Sequence, residues 1–208
     1  MSQYFVIHPE RAQARLIQRA VEIVGQGGLI AYPTDSCYAL GCHIGDKRAM
    51  QRIRRIRQLD EKHHFTLVCR DLSELSNYAL VDNSAYRLMK RCTPGPYTFL
   101  LKATHEVPRR LLAPKRRTIG LRVPAHPVAL QICEALGGPL MSSSLILPDD
   151  PEPLSDPQAM RELLEHDVDL VIDSGYCGVE VTTVIDLTRE SPAVLRQGKG
   201  DTDWLSRT

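Results

Sequence analysis

The chain lacks an excess of charge of either sign: 26 Lys and Arg residues stand against 25 Asp and Glu, a formal net charge of +1. A global pull toward nucleic acid or membrane is thereby excluded, and any basic surface must be local. No apolar run approaches the length of a membrane span. Met1-Ser2-Gln3-Tyr4 has neither the basic start nor the apolar core of a signal peptide, so a cytoplasmic location with no membrane partner is expected. No Cys-x-x-Cys pair occurs among Cys37, Cys42, Cys69, Cys92, Cys133 and Cys177. Most sit in apolar runs, where a thiol behaves as a small hydrophobe. They are expected to be reduced, forming neither a disulfide frame nor a zinc site. Cys37 remains a catalytic candidate by its place in the chain, although the sequence marks no partner histidine for it. There is no serine–histidine–aspartate pattern, no metal-ligand histidine spacing and no Gly-x-x-x-x-Gly-Lys-Ser/Thr loop, which rules out a P-loop nucleotide protein.

What is present suits a soluble globular protein. Apolar residues make up 43% of the 208 positions, enough for one large domain, expected over 1–208 with its core over 14–200. Helical spacing of Leu16, Ile17, Ala20, Val21 and Val24 predicts a first helix over 10–25. An apolar run, Leu29 to Tyr32, has the length of a buried strand and stops at Pro33, which has no backbone donor. A second strand is expected over 37–44. Asp46 then suits the N-cap of a cation-rich helix over 47–57. Asp60 to His64 reads as a polar loop and 65–69 as a strand, and Asp71 to Glu74 has capping-box spacing. Helices over 84–91 and 127–136, and another starting at Ser155-Asp156-Pro157, alternate with strands over 97–101, 118–123, 168–172, 182–187 and 193–196. Ser142-Ser143-Ser144 reads as a polar run after Pro139-Leu140-Met141, and 148–153 as a loop. Some strands follow each other closely while others are separated by helices. The expectation is therefore one α/β domain on a twisted, mixed parallel and antiparallel sheet flanked by helices.

The residues with chemistry recur in kind. Hydroxyls sit where strands are expected to end, at Thr34, Ser36, Ser142, Ser144 and Thr182, and guanidinium groups stand nearby in sequence at Arg55, Arg57, Arg122 and Arg196. Arginine offers paired donors to planar oxyanions, so this inventory suits carboxylate and phosphate binding more than covalent catalysis. The corner Pro33-Thr34-Asp35-Ser36 also reads as a simple polar turn. The strongest local charge bias is 102–122, which holds Arg109, Arg110, Lys115, Arg116 and Arg117 against the single acid Glu106.

Pro33-Thr34-Asp35-Ser36-Cys37-Tyr38-Ala39-Leu40 closely resembles the Pro-Thr-Asp-Thr-x-Tyr-Gly-Leu signature of the YrdC/YciO family, the threonylcarbamoyl-adenylate synthase-like proteins. The resemblance runs in order from Gly27 to Gly198. It implies a single YrdC-like α/β domain and a nucleotidyltransferase that uses L-threonine, bicarbonate or CO2, and ATP as substrates for the tRNA t6A modification, with Mg2+ accompanying the ATP. It implies threonine binding by Thr34, Arg122, Ser142 and Thr182. Nucleotide binding would fall to Arg55 and Arg57 (in the place of a Lys-x-Arg grip on the phosphates), Thr118, Ser144 and Arg196. Pro94-Gly95-Pro96-Tyr97-Thr98 matches a structural turn of the family. Three positions depart: Arg55 stands for a lysine, Ile146 for an asparagine and Cys69 for a histidine, features that resemble the YciO branch more than the main synthases. The alternative reading is a protein that binds tRNA or double-stranded RNA without synthase activity, through Arg109, Arg110, Lys115, Arg116 and Arg117.

Overall fold

The computed structural model describes residues 1–60, 63–112 and 117–205. Its strands, in chain order, are β1 (Gln3–Val6), β2 (Ile30–Tyr32), β3 (Ala39–His43), β4 (Thr66–Val68), β5 (Tyr97–Lys102), β6 (Thr118–Arg122), β7 (Leu140–Ser144), β8 (Leu170–Asp173), β9 (Thr183–Asp186) and β10 (Ala193–Arg196). They form one sheet in the order β1-β8-β2-β3-β7-β4-β6-β5-β9-β10. β1–β8, β8–β2, β4–β6 and β5–β9 run parallel, and the other neighbours antiparallel. The helices are α1 (Ala14–Gly25), α2 (Lys47–Arg57), α3 (Leu72–Tyr78), α4 (Asn83–Cys92), α5 (Pro127–Leu136) and α6 (Pro157–Leu163). The mixed, helix-flanked α/β sheet is the one the sequence predicts. No helix of the described residues is long and apolar enough to cross a membrane.

Period-two alternation sorts the strand residues into two cores. Ile30, Tyr32, Val68, Leu140, Leu170 and Ile172 face α1 and α5, which pack on each other. Their chain neighbours Ala31, Leu67, Met141 and Val171 face the other way, toward α2, α3, α4 and α6. The two covers are unequal. The α1–α5 core takes no residue from β5, β6 or β9, so that half of its sheet face carries no helix among the described residues.

Three local differences from the sequence reading have physical causes. β1 is too short for its alternation to register, and it is held as an edge by parallel pairing with β8. The serine run is not a link but the end of β7, an interior strand paired with β3 and β4; pairing on both sides overrides the weak strand preference of serine. The first helix starts at Ala14, after a separate turn of 3-10 helix at Pro9–Arg11. Asp46 caps α2 as expected, accepting from the Ala49 amide at 2.9 Å.

One carboxylate ties three elements together. Asp169 Oδ2 accepts from the Leu29 amide at 2.7 Å and from Arg52 Nη1 of α2 at 2.7 Å, while Arg52 Nη2 donates to the Asp167 carbonyl at 2.9 Å. Asp169→Ala is expected to lower stability by about 1–3 kcal/mol, because it leaves a buried amide and a cation without their acceptor. Asp167→Ala, which removes only the exposed pair with Arg55, is expected to cost no more than about 1 kcal/mol. Urea midpoints of the two variants distinguish them.

Candidate functional site

The uncovered half of the sheet is hollowed into a cavity of about 320 Å³. Its floor is built by register. Thr66 pairs with Ser142 on one side and Gly120 on the other, and Gly120 pairs with Leu100. A Cβ at Gly120 would lie 3.1 Å from Thr66 Oγ1 and 3.3 Å from the Thr98 methyl, so glycine keeps the floor low. The hydroxyls are held in place from below. Ser142 Oγ donates to the Leu40 carbonyl at 3.2 Å, so the Tyr32 hydroxyl, 2.7 Å away, donates to Ser142. Thr98 Oγ1 and Thr182 Oγ1 are 2.9 Å apart.

Three arginines from three elements converge on this hollow. Arg57 is the last residue of α2, which stops because Gln58 takes a left-handed conformation, φ 49 and ψ 43. Its Nε donates to the Ile146 carbonyl at 3.2 Å and its Nη1 to Ser143 Oγ. Arg196 comes from the edge strand β10. Its Nε and Nη2 donate to the Thr182 carbonyl at 3.1 and 2.9 Å, and Nη2 also reaches Thr182 Oγ1 at 3.2 Å. Among the described residues neither of these two arginines has a carboxylate partner. Burial lowers the pKa of both below the ordinary arginine value, and the Arg196 charge adds to the effect on Arg57.

Arg122, at the end of β6, is buried and pairs through Nη2 with Asp35 Oδ1 of the corner after β2. The remaining Nε of Arg122 and Oδ2 of Asp35 are buried without partners, as is Nδ1 of the nearby His126. Burial lowers the pKa of His126, with Arg122 adding to the effect and Asp35 opposing it. An orphaned donor beside an orphaned acceptor is the arrangement that a small zwitterion or ordered water would satisfy.

Of the residues singled out from the sequence, the cavity brings together Arg57, Arg122, Ser142, Ser144, Thr182 and Arg196. Arg55 lies elsewhere: two positions along a helix is a turn of roughly 200°, and Arg55 pairs on the exposed side with Asp167 at 3.0 Å. Thr34 is buried behind the corner and does not line the cavity. Its Oγ1 accepts from the Ser36 and Cys37 amides, both at 3.2 Å, and donates to the Cys37 carbonyl at 2.5 Å. Thr118 pairs with Lys102 at the far end of β6 and does not line the cavity. Arg109 is exposed, Arg110 donates to the Gly45 carbonyl, and Arg117 is exposed with a left-handed φ of 49. None of the three lines the cavity, and Lys115 and Arg116 lie outside the described residues.

His63, His64, Thr66, Ser143, Leu195 and Thr98 line the cavity without having been singled out as ligands. For Thr98 and Thr66 the signal was available, since strand alternation places them opposite the core residues Phe99 and Leu67. For the His63 loop no periodicity exists to read.

All six cysteines are free thiols, five of them buried, and only Cys177 is half-exposed. Burial holds the Cys177 thiol up at about 11. Among these positions, an aromatic disulfide reagent is expected to modify Cys177 alone, and slowly, at neutral pH without denaturant. Cys177→Ser should remove that reaction, and fast modification of a second thiol would show that the core opens.

Comparison with known proteins shows the family and the fold. Residues 22–198 match the family model of Sua5, YciO and YrdC, which carries the description "Telomere recombination". The uncharacterized protein YciO of Escherichia coli is 61% identical over 201 residues, covering 97% of this chain and 98% of the relative, and its crystal structure superposes with a TM-score of 0.94. A threonylcarbamoyl-AMP synthase of Chromobacterium violaceum is 37% identical over 137 residues, 65% of this chain and 70% of the synthase. The crystal structure of P. abyssi Sua5 complexed with L-threonine is 29% identical with a TM-score of 0.86, covering 95% of this chain and 58% of Sua5.

Proposed function

The chain belongs to the Sua5, YciO and YrdC family, and on that premise we propose that its cavity joins L-threonine, bicarbonate or CO2, and ATP into threonylcarbamoyl-adenylate. The observation that carries the reading is the convergence of Arg57, Arg122 and Arg196 on one hydroxyl-lined hollow, with Asp35 on Arg122 as their only carboxylate partner among the described residues. Arg57 and Arg196 are available to phosphate oxygens, as charges already positioned and partly desolvated. The orphaned Nε of Arg122 suits the carboxylate of an α-amino acid, and the structure of P. abyssi Sua5 complexed with L-threonine supports threonine as that amino acid.

The chemistry asks for alignment more than for a nucleophilic side chain. Threonine and CO2 form a carbamate, and a carbamate oxygen bonds to the α-phosphorus of ATP as the bond to the leaving pyrophosphate breaks. Positive charge fixed around the transferring and leaving phosphates stabilises that step. Among the described residues the lining holds no carboxylate, so they offer no hard-cation site of their own. Mg2+ arriving with ATP would keep phosphate oxygens and water as its ligands. The departures at Arg55 and Ile146 fall differently. Arg55 lies outside the cavity, whereas Ile146 lines it and gives its carbonyl to Arg57. Ile146 removes an amide where relatives would have one, so turnover slower than in the synthase branch is expected.

Duplex RNA binding has less behind it, because none of the described members of the basic stretch lines the cavity and Arg110 is engaged with the Gly45 carbonyl.

Incubation with ATP, L-threonine and bicarbonate should yield the adenylate and pyrophosphate at a low rate. Arg122→Ala should abolish the yield, and Arg57→Ala should lower it by about 10²-fold or more. Wild-type rates in both variants would remove the assignment.

A further inference from the structure

His63 has no role in the reading above, yet it stands at the anion end of the cavity. It follows the polar loop after α2, and its ring sits edge-on to Phe65 with centroids 5.6 Å apart and planes at 85°. Its Nε2 is 3.2 Å from Ser143 Oγ, the same hydroxyl that receives Arg57 Nη1. A hydroxyl has one proton, and this one accepts from arginine, so its own proton is free to point at the imidazole. The chain of contacts then runs from Arg57 through Ser143 to a neutral Nε2. That arrangement exists only while His63 is uncharged. Once protonated, Nε2 is a donor, which Ser143 can accept only through its second lone pair and which an anion on Arg57 accepts as a charge-assisted bond.

The groups facing His63 explain why it is uncharged. Arg57 and Arg54 approach from α2, His64 and Asp60 from its own loop, and Ser143 from β7. Among the described residues Asp60 is the one acid of this group. Burial, then the two arginines, pull the imidazole down to about 4. An anion arriving on Arg57 reverses the balance of charge at the ring.

Resting on the reading that ATP phosphates lie against Arg57 and Arg196, we propose that His63 is a further phosphate ligand of the cavity, which takes up a proton as the anion binds and donates Nε2–H to it. Ser143 is the positioning residue, since it holds the imidazole and Arg57 to one oxygen. The linkage has a definite sign. A ligand that raises the His63 pKa binds more tightly as pH falls through the raised value, and gains nothing further below the free value of about 4.

The test is imidazole NMR on protein labelled with 15N-histidine, with the His63 signals identified by their loss in His63→Gln. The protein is titrated from about pH 8 to about pH 5 alone, with saturating ATP, and with inorganic tripolyphosphate. Without ligand the His63 ring should stay neutral throughout. With either ligand it should move toward the imidazolium, its midpoint raised by about two and a half pH units or more. His63→Gln should weaken ATP binding by calorimetry several-fold at about pH 6 and little at about pH 8. A ring that stays neutral in the presence of bound ATP overturns the proposal and leaves the phosphate reading standing. A ring that responds to ATP but not to tripolyphosphate also overturns it, because the contact would then be to the nucleoside. No saturable binding of ATP to the wild type overturns both.

Discussion

Burial works against charge at Arg57 and Arg196, and the Arg196 charge works against Arg57, yet both guanidinium groups are fixed at one hollow. Their partners are carbonyls and hydroxyls of Ile146, Ser143 and Thr182, which orient a guanidinium group without neutralising it. A carboxylate in the same place would hold the side chains as well but would cancel the field. Among the described residues the site therefore holds positive charge without a carboxylate on Arg57 or Arg196, in a partly desolvated space, the condition under which a phosphate ligand gains most from binding. His63, kept neutral beside them, belongs to the same electrostatic arrangement.

The sheet makes this possible by being covered unequally. α1 and α5 bury the face of the sheet from β1 toward β7, and among the described residues the rest of that face is left to the cavity, floored by Thr66, Thr98, Leu100, Gly120 and Val184. The opposite face is packed against α2, α3, α4 and α6. The floor is thus rigid on its far side while open on the near side. α2 belongs to the packed side but ends at the open one. Its body is tied to the β2–β8 region through Arg52 and Asp169, and its last residue, Arg57, reaches the cavity. Fold stability and ligand geometry share that helix, so a change at Asp169 should be felt at the site even though it touches nothing there.

Much of this was legible in the residues, and the limits have physical reasons. Alternating apolar runs gave most strands, and the capping aspartates marked helix starts. The ends of β2 and β6 carried the polar groups where expected. The serine run of β7 was not legible as a strand, because its pairing comes from both neighbours and not from its own composition. Arg55 and Arg57 look equivalent in sequence, and only helical phase separates a solvent-facing ion pair from a cavity-lining arginine. Thr34 was singled out because it sits in a signature, and the structure shows its hydroxyl shaping the turn that presents Asp35 to Arg122. His63 and Ser143 had no pattern at all to announce them, since the contact joins positions 80 apart in the chain.

The central claim is a location: triphosphate between Arg57 and Arg196, with the amino acid at Arg122. A crystal structure of the protein grown with ATP and L-threonine tests it most directly. The expected result is phosphate density within hydrogen-bond distance of Arg57 and Arg196, and a threonine carboxylate on Nε of Arg122. Ligands bound elsewhere on the molecule, with this cavity filled only by solvent, would contradict the account.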